Sequence, residues 1–232
     1  MRVRLGEVLL ATGFLGLMTT LYLAFNWAPS VDINAFKSPD AQRIFYWHVP
    51  AAWAAFIAFS VLFAGSALWF FKRSPLGWRM HIAGAEAGLA CGLIAVWSGC
   101  VWGAAEWGTP WDWQDYRLNT FGLLTLLALF LVLGRQSQPD GVETRDTFST
   151  FGLYGFVLVP ITYIATRIWV IRHPGPVIAG EEGSSISGDM AIVLMIGAIS
   201  FTLLIAGHII TSMNVTKLEQ RIDRLQTMLD GE

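Results

Sequence analysis

The residues of this chain that best fit a chemical task are a tryptophan-rich segment and two histidines. The segment covers positions 102–120 and reads Trp-Gly-Ala-Ala-Glu-Trp-Gly-Thr-Pro-Trp-Asp-Trp-Gln-Asp-Tyr-Arg-Leu-Asn-Thr. Tryptophan and tyrosine also gather in an aromatic belt at a membrane boundary, but a belt requires neither a fixed spacing nor adjoining Asp and Arg residues. The pattern therefore favours an aromatic shelf for a large, flat, anionic ligand, on which indole rings supply stacking area. The shelf would consist of Trp102, Trp107, Trp111 and Trp113.

Charged residues adjoin this shelf. Asp115 and Arg117 follow its last tryptophan, and an arginine can bind a ligand carboxylate through two parallel hydrogen bonds. Asp115 could hold Arg117 in place or accept a hydrogen bond from an indole. Arg43 and Arg172 are predicted on the same face of the molecule. They could be ordinary interfacial anchors or further partners for the acidic groups of the ligand.

Two of the four histidines are candidate ligands for a metal centre. His48, in Tyr-Trp-His-Val-Pro-Ala-Ala-Trp, opens the second apolar segment, and His173 follows the fifth. A single histidine near a helix end is usually a solvated side chain. Two on one face, flanking an aromatic shelf, instead suggest a pair of imidazoles that holds a haem iron from opposite sides. His81 and His208 are predicted at the other end of their segments and are expected to be structural.

The segments that position these residues are those of a membrane protein. The chain of 232 residues is 54% hydrophobic and only 14% charged, and its apolar runs are long enough to cross a bilayer as helices. The predicted fold is an all-α integral membrane protein, a six-transmembrane-helix bundle with the Trp-rich loop outside the membrane between helices 3 and 4. The spans lie at about 8–26, 44–71, 82–101, 118–134, 148–170 and 190–213, within one domain of residues 1–213.

Composition also argues against other classes of function. The net charge of −2 gives no basis for a nucleic-acid partner. Cys91 and Cys100 share one apolar run, so they suit neither a disulfide framework nor a zinc cluster and are expected to be small buried hydrophobes. Residues 214–232 form a short amphipathic tail, predicted to be an interfacial helix or a contact with a partner subunit.

The distribution of Lys and Arg predicts the orientation. Ten of the 15 basic residues fall on the side of the two termini, and the other five on the side of the Trp-rich loop. Because basic residues are enriched in cytoplasmic loops, both termini are expected in the cytoplasm and the loop on the external, periplasmic side of the inner membrane.

The segment, followed by Asp-Tyr-Arg-Leu, resembles the WWD signature of the haem-handling proteins of cytochrome c biogenesis. Six spans, the Tyr-Trp-His-Val-Pro-Ala-Ala-Trp string and a second outward histidine are similar to one branch, the heme exporter protein C family, over nearly the whole chain. Two positions depart from the family pattern. Pro110 replaces a tryptophan, and Gln114 is an additional residue. A longer sister family carries Trp-Asp-Pro-Lys-Glu at this point, and this chain does not.

The resemblance implies a function and a set of partners. Haem b would bind transiently at the external face, with its iron between His48 and His173 and its propionates near Arg43, Arg117 and Arg172. A periplasmic haem chaperone would take the haem, with help from an ABC-type ATPase, membrane subunits of the cytochrome c maturation complex and a small single-span subunit. Membrane lipid would be a further partner of the protein. The protein would be a haem delivery factor rather than a conventional enzyme.

Two other classes of function remain open from the residues. A membrane b-type cytochrome would hold haem permanently for electron transfer, but such proteins generally bury their histidine pairs near the middle of the bilayer. A transporter of haem or another small molecule would bind its substrate near the midplane, often on broken helices in two matching halves. No matching halves are evident in this sequence.

The orientation can be tested with reporter fusions. A reporter fused after Glu232 is expected to report a cytoplasmic location, and one inserted into the Trp-rich loop an external location, because the basic residues favour the side of the termini. The reverse pattern would move the whole site to the cytoplasmic face.

Overall fold

The computed structural model describes residues 2–31, 36–168 and 186–230, and within these ranges the regular structure is entirely helical. Six stretches of the described chain are long and apolar enough to cross a membrane, which confirms the predicted six-span helical bundle. The elements are α1 (Arg2–Asn26), a 3-10 turn (Ala41–Ile44), α2 (Phe45–Lys72), α3 (Pro75–Trp107), α4 (Tyr116–Gln136), α5 (Val142–Gly155), α6 (Leu158–Ile168) and α7 (Gly188–Asp230).

The bundle has two ends. The loop end contains the ends of α1 and α3 and the starts of α2, α4 and α7. The tail end contains the end of α2, the starts of α3 and α5, and the last turns of α7. α7 has 43 residues and is about 65 Å long at 1.5 Å per residue, so it extends well beyond a hydrocarbon core of about 30 Å. The described part of the amphipathic tail is thus a direct continuation of the last span.

α2 and α3 form a tight antiparallel pair. The chain reverses at Arg73, which has a positive φ of 51°, and the Ser74 hydroxyl then accepts a hydrogen bond from the backbone N–H of Gly77. Pro75 occupies the first turn of α3, where a backbone N–H would have no helical partner. With this cap, α3 begins at Pro75, seven residues before the predicted start of the third span at position 82.

Glycines allow the two helices to approach closely. A Cβ on Gly84 would lie 2.5 Å from the backbone nitrogen of Leu62, and one on Gly65 would lie 2.4 Å from the backbone nitrogen of His81. Between lipid tails there is little hydrophobic driving force for helix association, so close van der Waals packing of this kind stabilises the pair. Phe59, Leu62 and other buried apolar residues extend the core from this pair to α4, α5 and α7.

The fifth span is interrupted rather than continuous. α5 ends at Gly155 and α6 begins at Leu158. Pro160 is the third residue of α6. A proline lacks the N–H for a helical hydrogen bond, and its ring clashes with the carbonyl four residues before it. That carbonyl belongs to Phe156, where the helix breaks.

The glycine contact predicts a specific loss of stability. Gly84→Ala should destabilise the protein by about 1–3 kcal/mol, because the added methyl group meets backbone atoms of α2 that cannot move aside. Gly188→Ala is the matched control, since a Cβ there meets no atom within 4 Å and the residue lies inside α7 rather than at a cap position. Thermal unfolding in detergent measures both. Equal melting temperatures for the two variants would contradict the close contact between α2 and α3 at Gly84.

Candidate functional site

His48 lies in the first turn of α2, at the loop end, and its ring is oriented by α3. Its Nδ1 is 2.9 Å from the Ser98 hydroxyl oxygen. That hydroxyl donates its only proton to the backbone carbonyl of Ile94, at 2.6 Å, so toward His48 it acts as an acceptor. The Nδ1 atom therefore carries the proton, and the lone pair of the neutral imidazole is on Nε2, the atom that can coordinate a metal.

The surface of α3 beside His48 is shaped for this ring. A Cβ on Gly99 would lie 3.1 Å from Cε1 of His48, so a larger residue would push the imidazole away. Trp102, one turn after Ser98, has its ring centroid 6.5 Å from that of His48 and is only 4% exposed. Ser98, Gly99 and Trp102 thus form one face of α3 against which the histidine lies.

The four tryptophans of the predicted shelf form two pairs. The Trp102 and Trp107 centroids are 5.5 Å apart, and those of Trp111 and Trp113 are 5.8 Å apart. The first pair continues the His48 surface. In the second pair Trp111 packs on α4 and donates its indole N–H to Asn119 at 3.1 Å, whereas Trp113 is 82% exposed. The pairs therefore present a partly buried surface and an open one.

Asp115 and Arg117 start α4 and hold each other. The Asp115 carboxylate accepts hydrogen bonds from the backbone N–H groups of Arg117 and Leu118, which makes it the N-cap of the helix. Its second oxygen lies 3.0 Å from the Arg117 guanidinium, and both side chains are about nine-tenths buried, with 10% and 12% exposure. Arg117 is also within electrostatic range of His48. The cap thus fixes the arginine at the start of α4.

Arg43 has a structural partner at the loop end. Its guanidinium donates to the backbone carbonyls of Ala24 and Ala28 and lies 3.4 Å from the Ser30 hydroxyl. The carbonyls at the end of a helix have no helical donors and carry partial negative charge, so an arginine there is stabilising. Arg43 thus braces the end of α1 against the start of α2. Its predicted contact with a ligand stays a prediction.

Glu106 is a residue of this region that the sequence analysis missed. Its two carboxylate oxygens accept hydrogen bonds from the backbone N–H groups of Lys37 and Ser38, both at 2.9 Å, and the Ser38 hydroxyl donates to the Ala105 carbonyl. The carboxylate therefore ties the connection after α1 to the end of α3. An acidic residue directly before Trp107, within the aromatic segment, was the available signal.

The remaining predicted residues fall elsewhere. His173 and Arg172 lie outside the described residues. His81 is fully buried in the tail half of the bundle, where its Nδ1 is 2.9 Å from the Ser66 hydroxyl and its ring stacks on Trp78. His208 lies 3.7 Å from Glu86, also in the tail half. Within the described ranges, no three His, Cys, Asp or Glu residues converge to hold a bare metal ion.

Comparison with known proteins gives a consistent result. Residues 1–228 match the family described as heme exporter protein C. A protein of that name from Bradyrhizobium diazoefficiens is 30% identical over 216 residues, which cover 93% of this chain and 82% of the relative. The one from Paracoccus denitrificans is 26% identical, covering 85% of this chain and 80% of the relative. A mitochondrial protein of Marchantia polymorpha, named for cytochrome c biosynthesis, is 29% identical and covers 83% and 80%.

The double role of Asp115 can be separated by two substitutions. Asn is about as good an N-cap as Asp, whereas Ala is not, so Asp115→Ala should be less stable than Asp115→Asn by about 1 kcal/mol. Both lose the charge that faces Arg117. Asp140→Asn, in an ion pair whose carboxylate is 46% exposed, is the control and should change stability by at most about 0.5 kcal/mol. Identical unfolding temperatures for the two Asp115 variants would refute the capping role.

Proposed function

Because the chain belongs to the heme exporter protein C family, we propose that it binds haem b at the loop end of the bundle and presents it to a haem chaperone for c-type cytochrome maturation. Haem handling in cytochrome c maturation follows from the family. The binding of haem at the loop end and its transfer to a chaperone are argued from the geometry of the site. The bound haem is cargo that arrives and leaves, so the protein acts as a delivery factor.

The hydrogen bond between His48 and Ser98 is the observation that carries this proposal. The hydrogen bond from Nδ1 to Ser98 leaves the lone pair on Nε2 and fixes the plane of the ring. Histidines that bind metals generally use their second nitrogen in this way, because the hydrogen bond orients the ring and makes it more basic. His173 is proposed as the second axial ligand from the family pattern alone.

Aromatic and cationic groups beside His48 suit the rest of the haem. The half-buried Trp107 offers a ring face for a flat macrocycle, the buried Trp102 lies behind it, and the exposed ring of Trp113 extends the surface outward. Arg117 supplies a positive charge that Asp115 holds in position. A guanidinium can bind a propionate through two hydrogen bonds. We assign Arg117 the role of orienting the haem edge, with Arg43 and Arg172 as further candidates.

The position of the site favours exchange of the haem over permanent retention. His48 lies within the first turn of α2, and part of the tryptophan surface is open. A resident electron-transfer haem is generally held between histidines buried within the bilayer, whereas transfer to a chaperone needs direct access to the iron and the ring edge. We propose that the loop end faces the periplasm from the inner membrane, with both termini in the cytoplasm and the ATPase and membrane subunits of the maturation complex as partners.

The axial pair is tested by spectroscopy. In the purified wild-type protein, haem held by two imidazoles should give a six-coordinate, low-spin spectrum. His48→Ala and His173→Ala should each lower haem content or convert the spectrum to high spin, and each should abolish transfer of haem to an added chaperone. His208→Ala is the control, because this residue lies in the tail half beside Glu86. It should retain the wild-type spectrum.

Each result has a defined meaning. A wild-type low-spin spectrum in His48→Ala would exclude His48 as a ligand and with it the proposed site. A normal spectrum combined with failure to transfer haem from the wild-type protein would leave the site intact but contradict delivery, and would favour a resident haem.

A further inference from the structure

The outer tryptophan pair, Trp111 and Trp113, is joined to the bundle through one amide side chain. Asn119, in the first turn of α4, accepts a hydrogen bond from the indole N–H of Trp111 at 3.1 Å. Its amide nitrogen donates to the main-chain carbonyl of Trp113 at 2.8 Å. Asn119 therefore contacts both members of the pair, one through its ring and the other through its backbone.

These two partners fix the orientation of the Asn119 amide. An indole N–H can only donate and a carbonyl oxygen can only accept, so the amide oxygen must face Trp111 and the amide nitrogen must face Trp113. A leucine has a similar size but can make neither bond, and an aspartate can supply only the acceptor. The two bonds can therefore be removed together, or the bond to Trp113 can be removed alone.

Trp111 is also fixed by its other contacts. Its backbone carbonyl accepts a hydrogen bond from the Thr109 hydroxyl at 2.8 Å. A Cβ on Gly122 would lie 2.9 Å from the edge of the Trp111 ring, so the ring packs directly on α4 where that residue has no side chain. The ring of Trp113 meets this fixed ring at an interplanar angle of 63°, with the two centroids 5.8 Å apart.

Trp113 lies in an exposed turn and depends more on its backbone. The residue is 82% exposed. In the turn, the Asp112 carboxylate accepts a hydrogen bond from the backbone N–H of Gln114 at 2.9 Å, and the Asp112 carbonyl accepts one from the N–H of Asp115 at 3.1 Å. This turn accommodates Gln114, the additional residue of the segment. The bond from Asn119 ties the turn, and with it the ring of Trp113, to α4.

We propose that Asn119 is a positioning residue for haem, which acts through the outer tryptophan pair. An exposed ring in a turn must be ordered when a ligand stacks on it, and that ordering costs conformational entropy. Asn119 lowers this cost, because it holds the turn in place before the ligand arrives. The inference rests on the proposed function, since it assigns the exposed ring of Trp113 to the edge of the bound haem.

The first test needs no haem. In the haem-free, full-length protein in detergent, proton–nitrogen NMR reports one indole N–H signal for each tryptophan, and Trp111→Phe identifies the signal of Trp111. Asn119→Asp should leave this signal near its wild-type position, because the acceptor remains. Asn119→Leu should shift it toward that of an indole without a hydrogen bond. An unchanged Trp111 signal in Asn119→Leu would overturn the proposal.

The second test is a haem titration of the same protein. Asn119→Leu should bind haem about tenfold more weakly than the wild type, as expected from the loss of one or two hydrogen bonds that hold the site. Asn26→Leu is the matched control at the same end of the bundle, because the Asn26 amide donates to the Tyr22 carbonyl within its own helix. This variant should bind haem as the wild type does.

A double-mutant cycle separates positioning from a general effect on folding. If Asn119 acts through Trp113, its effect should largely disappear once that ring is removed. Asn119→Leu in a Trp113→Ala background should therefore weaken haem binding by at most about twofold beyond Trp113→Ala alone. A merely structural role of Asn119 predicts that the full loss persists in that background.

The outcomes distinguish this inference from the proposed function. Wild-type haem affinity in Asn119→Leu, or the same loss with and without the Trp113 ring, would overturn the role of Asn119 and leave haem binding by the protein intact. A wild-type protein that bound no haem would contradict the proposed function, and the role of Asn119 toward haem would fall with it, whatever the NMR signal of Trp111.

Discussion

The close contact between α2 and α3 is the interaction on which both ends of the molecule depend. Glycines on each helix bring the two backbones within van der Waals distance, and a Cβ at Gly65 or Gly84 would meet main-chain atoms of the partner. Serine side chains are short, so they can contact a residue of the neighbouring helix only where the two backbones lie this close. The hydroxyl of Ser98 reaches His48 at one end, and that of Ser66 reaches His81 at the other.

These two serine–histidine pairs are alike in geometry and different in consequence. In each, the serine donates to the carbonyl four residues before it and accepts from Nδ1 of the histidine. His81 is closed off by packing, with its ring stacked on Trp78 and no exposed surface. His48 instead borders the tryptophan pairs and Arg117. The pair therefore orients an imidazole, and its surroundings decide whether the ring can meet a ligand.

Sequence patterns were sufficient for the six-span fold, whereas the ligand-binding roles of the site residues stay predictions. The six spans followed from apolar runs. The contact of Asp115 with Arg117 is one of the two alternatives that the sequence left open for this carboxylate. Ser98 could not be singled out, because a serine within a span usually bonds only to its own helix. Glu106 was also missed, since its partners lie nearly 70 residues earlier in the chain and are backbone groups, which leave no mark on the sequence. The break before Leu158 could not be located either, because a proline within a span can be accommodated by a kink as well as by an interruption of the helix.

The way Glu106 binds has an evolutionary consequence. Its carboxylate accepts hydrogen bonds from the main-chain N–H groups of positions 37 and 38, and the Lys37 side chain is exposed. Any residue except proline presents the same N–H group. Position 37 could therefore change to any residue except proline in evolution without losing this contact, whereas a change at Glu106 would remove both hydrogen bonds at once.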